Sequence, residues 1–254
     1  MFPDENPPSK IKSIQGQQLF FLKYMKVKIL NERESSIARI LLKQDELLIT
    51  QAGTLLAMRG NLTINTSFRR SRSVAKGNAQ IDRTMATESL FLTEFRAMGD
   101  KNEVWLAPSM MGNIIIHNIT NYKLIVVASA YLACTGTMGL FFGVPEIKLP
   151  YNNQSLTLLS ITGNGQVLLN GLGAIYTIDV AGDYWVNIDN LVAFENSLKY
   201  EIVQGQSKGL SNWWRKPQLF MKVTGEGKLY CQTHQAQHWG HLIAKKLNTK
   251  STIL

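Results

Sequence analysis

Four histidines, two cysteines and a scatter of carboxylates are the side chains here whose types suit chemistry, and their spacing selects little. His117 stands apart from the others. His234, His238 and His241 are spaced so that a helix would bring all three to one face, as a metal site needs. Only Cys231 lies close enough in sequence to support them, and an HExxH pattern is absent, so surface histidines are the simpler reading and no metal ligand is assigned. Cys231 and His234, three apart in an extended stretch, face opposite sides and do not form a nucleophile–base pair. Ser155 and Ser160 lack a GxSxG context. Gly163-Asn164-Gly165 and Gly171-Leu172-Gly173 lack the Walker lysine and the Rossmann arrangement, and are expected as hairpin turns. Asp179, Asp183 and Asp189, near Gly182 and Asn190, are expected to serve turns and caps. No catalytic residue, cofactor site or metal site follows, and the chain is not expected to be an enzyme.

Charge offers a second kind of function. The 254 residues carry 27 basic and 18 acidic side chains, a net charge of +9, which favours anionic surfaces without naming one. The most basic stretch, Phe68 to Arg83, holds Arg69, Arg70, Arg72, Lys76 and Arg83 against Asp82 alone. It is expected as a long exposed loop. A second candidate contact is Trp213-Trp214 with Arg215, between Lys208 and Lys216. The Phe68 to Arg83 stretch lacks the interleaved aromatics of a nucleic-acid module, and the tryptophan pair is either an exposed contact or a local hydrophobic anchor.

Cys134 and Cys231 form no CxxC and suggest no disulfide framework, so a reducing compartment and a cytoplasmic location are expected. No run of eighteen apolar residues suggests a transmembrane segment, and the start MFPDENPPSK is acidic and proline-rich, unlike a secretory leader.

These residues must be positioned by short strands. Leu156 to Tyr200 contains apolar runs cut by glycine, aspartate and asparagine, the punctuation of strands and tight turns. Further strands are expected at Met25–Leu30, Ile37–Leu42, Glu46–Thr50, Leu62–Asn65, Ser89–Ala97, Val104–Ala107, Ile114–Ile116, Leu124–Ser129 and Leu219–Val223. Turns are expected at Gly112-Asn113 and a break at Asn118–Asn121. A faint repeat runs through Ala52-Gly53-Thr54-Leu55-Leu56-Ala57, Ala130-Tyr131-Leu132-Ala133 and Asp189-Asn190-Leu191-Val192-Ala193-Phe194, so similar units of roughly 60 to 75 residues recur. The chain divides into a lead-in at 1–24, an all-β domain of repeated units at 25–233 and a tail at 234–254. A unit with one apolar face must bury it on another sheet or another subunit, and exposed edges need pairing, so self-association is expected.

Six ordered pieces resemble the AIM24 family, also described as DUF124, which has a TRAP-like β fold. They are Ile49 to Met58, Glu88 to Ala97, Val104 to Ile114, Gly163 to Gly173, Asp189 to Phe194 and Gly225 to Thr233, within roughly residues 25 to 233. The Arg/Ser stretch stands where the family has a compact glycine pair, and Trp213-Trp214 where it has a glycine-rich turn. The resemblance implies stacked antiparallel β-sandwich or β-prism units and homotrimeric assembly, and it carries over no active-site residue. A fungal member's mitochondrial role is not expected here, because this N-terminus lacks a basic amphipathic leader. The leading expectation is a non-enzymatic, oligomeric β scaffold or interaction protein. The alternative is a nucleic-acid or anionic-surface binder using 68–83. A small-molecule cleft between β-units is a third reading.

Overall fold

The computed structural model describes residues 25–31, 35–68, 91–141, 144, 147–148, 155–205, 219–236, 239–240 and 242–243. The fold is all-β with little helix, arranged as three successive units of one design.

The first unit contains β1 (Lys26–Leu30), β2 (Ile37–Leu42), β3 (Leu47–Gln51), β4 (Leu55–Arg59), β5 (Leu62–Phe68), β6 (Phe91–Ala97) and β7 (Asn102–Leu106). The second contains β8 (Gly112–Val127), β9 (Tyr131–Thr135), β10 (Gly139–Phe141), β11 (Ile147–Lys148), β12 (Ser155–Leu156) and β13 (Leu158–Leu172). The third contains β14 (Ile175–Asn187), β15 (Leu191–Glu195), β16 (Lys199–Gln204) and β17 (Leu219–Gln232).

Each unit is a bent antiparallel hairpin. In the second, β8 pairs with β13 along its length, and in the third β14 pairs with β17. The first unit breaks the same hairpin in two: β2 pairs with β7, and β3 with β6. A short strand returns onto each hairpin as β5 on β6, β10 on β13 or β16 on β17. The candidate stretches 69–83 and 213–215 follow β5 and β16, the equivalent strands of units one and three.

Several glycines do not make the expected hairpin turns. Gly163–Gly165 lies inside β13, opposite β8, and Gly182 faces Gly225 in the middle of the β14–β17 hairpin. Gly112-Asn113 begins β8, and Asn118–Asn121 lies within it rather than ending it. The reason is a bend with the strands kept paired. Positive φ at Asn121 (59°), Gly163 (120°), Gly182 (107°) and Gly225 (126°) turns the hairpins, as Asp45 (67°) and Lys101 (64°) do where the first unit's strands break. Asp179 and Asp183 are likewise mid-strand, paired across to Lys228 at 2.6 Å and Lys222 at 3.0 Å on β17.

Two apolar clusters make the interior. One holds Ile40, Leu48, Phe95, Val104 and Leu106 of the first unit together with Leu132, Ala133 and Leu168 of the second. The other holds most of units two and three, including Ile125, Leu159, Val192, Phe194 and Leu229. Strand β6 serves both: Phe95 and Ala97 belong to the first cluster and Leu92, on the opposite face, to the second.

Candidate self-association edges

The faint sequence repeat marks one device built three times. After the first arm of each hairpin the chain turns sharply, through Ala52-Gly53 in unit one and through 3-10 turns at Ala128–Ala130 and Ile188–Asn190 in the others. A short strand follows that pairs back on its own unit with a bulge at its second residue. The register shifts between Leu55 and Ala57 on β7, between Tyr131 and Ala133 on β13, and between Leu191 and Ala193 on β17. The bulged residues are Leu56, Leu132 and Val192. A bulge twists the strand and re-aims a side chain.

Twice, the other edge of this bulged strand pairs with the preceding unit. Strand β9 lies on β3 with Ala133 opposite Thr50, Cys134 opposite Ile49 and Thr135 opposite Leu48. Strand β15 lies on β8 with Ala193 opposite Val126, Phe194 opposite Ile125 and Glu195 opposite Leu124. Both junctions are dry at their centres: Cys134, Ile49, Phe194 and Ile125 are at most 5% exposed, and Leu132 and Val192 are fully buried. Tyr131 reinforces the first by donating its hydroxyl to the Ile49 carbonyl at 2.8 Å.

Among the described residues the third set of edges is open. Strand β4 ends the four-stranded sheet β1-β2-β7-β4, and β14 ends the eleven-stranded sheet. Matching the hairpin registers makes Val186, Trp185 and Tyr184 of β14 the counterparts of Val126, Ile125 and Leu124. Ala57, Met58 and Arg59 of β4 are the counterparts of Ala193, Phe194 and Glu195. Here the central apolar pair is in water, with Met58 48% and Trp185 56% exposed, and bulged Leu56 is 55% exposed. Asp183, beside this edge, is held below the usual carboxylate range by hydrogen bonds from Lys222 and Thr224, and Lys222 also lies 5.9 Å from the Trp185 ring.

Residues 27–234 match the family model described as "Mitochondrial biogenesis AIM24". The chain belongs to the AIM24 family. No curated protein matches it. Among solved structures, protein SPYM3_0169 from Streptococcus pyogenes is similar, with a TM-score of 0.68 at 20% identity over 87% of this chain and 99% of that one. At that identity the likeness is one of fold.

Of the residues singled out by sequence in this AIM24 chain, Arg69, Arg70, Arg72, Lys76, Arg83, Trp213, Trp214 and Arg215 lie outside the described residues, as do His238 and His241 and all of 1–24. His234 is exposed, and its Nδ1 is 2.8 Å from the Thr233 hydroxyl. Among the described residues no His, Cys, Asp or Glu group is arranged to hold a metal. Burial pushes the Cys231 thiol up to about 11, so it is protonated at neutral pH. No helix among the described residues is long and apolar enough to cross a membrane.

The fourth histidine proves structural. His117 on β8 occupies the core position that Ile40 and Ile178 hold in the other units, and it is buried between two tyrosines. The Tyr122 hydroxyl donates to the Asn118 carbonyl at 2.8 Å and so accepts from His117 Nε2, while Tyr230 donates to Nδ1 at 2.6 Å. This assigns a neutral imidazole protonated on Nε2 and links β8 of unit two to β17 of unit three. Burial, with Lys228 second, lowers His117 to about 4, and burial raises the Tyr230 phenol.

The exposed Leu56, Met58 and Trp185 were missed in sequence as a site. Their signal lay in setting the repeat copies side by side: two bulged strands pair with a preceding unit, and among the described residues the first does not.

Proposed function

We propose that this protein is a non-enzymatic β scaffold that assembles head to tail, β4 of one copy pairing with β14 of the next. The observation that carries the reading is the junction made twice inside the chain, with both halves of a third left open, among the described residues, at opposite ends of the unit series. The register follows: Ala57 opposite Val186, Met58 opposite Trp185 and Arg59 opposite Tyr184 of the neighbouring copy. A contact that joins unlike surfaces closes a ring where its rotation allows and otherwise runs on as a filament, and a ring of three copies is the order that the family resemblance implies. The distinctive glycine and apolar positions serve bends and junctions, a scaffold's needs rather than a catalyst's.

A paired substitution tests both the surface and the register. With Met58→Cys and Trp185→Cys in one chain, directly opposed Cα atoms fall within disulfide reach. Mild oxidation is expected to give covalent oligomers on a denaturing gel, and either single variant should give none beyond the wild type. Monomers alone from the double variant, together with a monomeric wild type in light scattering at micromolar concentration, would overturn the reading.

A further inference from the structure

A group of charged residues lies on the first unit, reaching the β4 edge. Lys26, Leu41, Glu103 and Arg59 are cross-strand neighbours in turn, one from each of β1, β2, β7 and β4. Opposed residues point to the same face with strands about 4.8 Å apart, so these side chains form one row. The row borders a cleft of about 460 Å³ that Lys43, Glu46 and Lys101 also line.

The two acids in this cleft are already engaged. Glu103 takes Arg39 Nε at 2.6 Å and Nη2 at 3.1 Å, and accepts the Trp105 indole N–H as well. Arg39 in turn lies 5.4 Å from the Trp105 ring, which fixes the pair in place. Glu46 Oε2 accepts the backbone N–H of Lys43 at 2.9 Å. Lys26, Lys43, Arg59 and Lys101 make no salt bridge among the described residues. Arg39 takes both Glu103 oxygens and Arg59 also acts on that carboxylate, so the cleft sets four cations against Glu46 and a shared Glu103. Leu41, 40% exposed, lies among them.

Cations in excess of the acids beside them suit a dianion, and a phosphate monoester carries about −1.5 to −2 at neutral pH. The volume matches the roughly 300–1,000 Å³ of small-molecule sites, and a nucleic-acid strand would need a track with stacking aromatics instead. We propose that this cleft binds a small phosphate ester, its phosphate held by Lys43, Lys101 and Arg59 and its organic body laid against Leu41. The site shares Arg59 with the β4 edge, whereas Lys43 and Lys101 lie outside both junction strands.

Calorimetric titration with glycerol 3-phosphate tests it on the full chain, with inorganic phosphate and phosphatidic acid vesicles in parallel. The site variant is Lys43→Gln with Lys101→Asn, asparagine being chosen because Lys101 has φ 64°. The control removes equal charge elsewhere, with Lys123→Gln and Lys199→Gln. Both leave β4 and β14 intact, so a failed assembly and a failed ligand site are read separately. The expected result is saturable binding, weaker for inorganic phosphate, that falls about tenfold or more in the site variant and under about twofold in the control. No saturation by about 10 mM, equal losses in both variants, or binding to vesicles alone overturns the proposal.

Discussion

Trp185→Ala offers the sharpest reading of the open junction. The ring is 56% exposed in the separate copy, whereas its counterpart Ile125 is 4% exposed where β15 covers it. An aromatic side chain buries about 150–250 Å² in full, so covering the exposed part removes about 100 Å² from water. At about 25 cal/mol per Å² this is about 2.5 kcal/mol for each junction, a factor of roughly 50 to 100 in the association constant. The Lys222 contact with the ring exists in the separate copy and largely cancels from the difference. Sedimentation velocity over a concentration series reads the effect as an upward shift of the assembly midpoint. Tyr176→Ala is the control: this residue is 63% exposed on the same strand but outside the junction register. The reasoning fails if both variants shift the midpoint alike, or if Trp185→Ala leaves it where the wild type has it.

Other consequences concern stability. His117 is held at about 4 against 6.5 for the free side chain, so the unfolded chain takes up a proton that the fold refuses. Stability from this group is complete above about pH 6.5 and is lost as pH falls towards 4, by up to about 3 kcal/mol. His117→Gln should remove that part of the acid sensitivity, seen by comparing thermal melts at about pH 7 and pH 4.5. Gly112→Ala would put a Cβ 1.8 Å from the Gly171 carbonyl oxygen where β8 begins, a backbone clash no rotamer relieves. A loss of about 3 kcal/mol, a Tm lower by roughly 6–12 °C, is expected in calorimetry. Tyr131→Phe removes the hydroxyl bound to the Ile49 carbonyl between units one and two and should cost about 1–2 kcal/mol in denaturant melts.

The fold was legible where a strand's own pattern decides it. Ile37–Leu42 and Phe91–Ala97 carry their β character in short apolar runs, and the structure places strands there. The glycines misled because the same residue serves a chain reversal and a bend within a continuing strand. At Gly182 positive φ turns β14, but Gly225 opposite turns β17 with it, so the ladder continues across both. Only the partner strand separates those cases, and no local pattern contains it. His117 shows a similar limit: an imidazole in a run of isoleucines is satisfied by Tyr230, 113 positions away.

The candidate surface depended least on local pattern. Leu56 and Leu132 are the same residue in the same bulge, yet one is 55% exposed and the other fully buried. Propensity and hydropathy treat them alike, because what differs is the neighbour: β9 has β3 beside it, and among the described residues β4 has no strand beyond it. Burial at a repeated junction is a property of the pair of units, so a chain with a fixed number of units must leave one half-junction open at each end. Terminal units of repeat arrays usually carry polar caps there, and open edges are usually blunted by charge or proline. This chain instead keeps Leu55, Leu56 and Met58 on one open edge and Trp185 on the other. Apolar residues retained at both ends in mutually complementary register are what association requires, and an isolated monomer gains no stability from them.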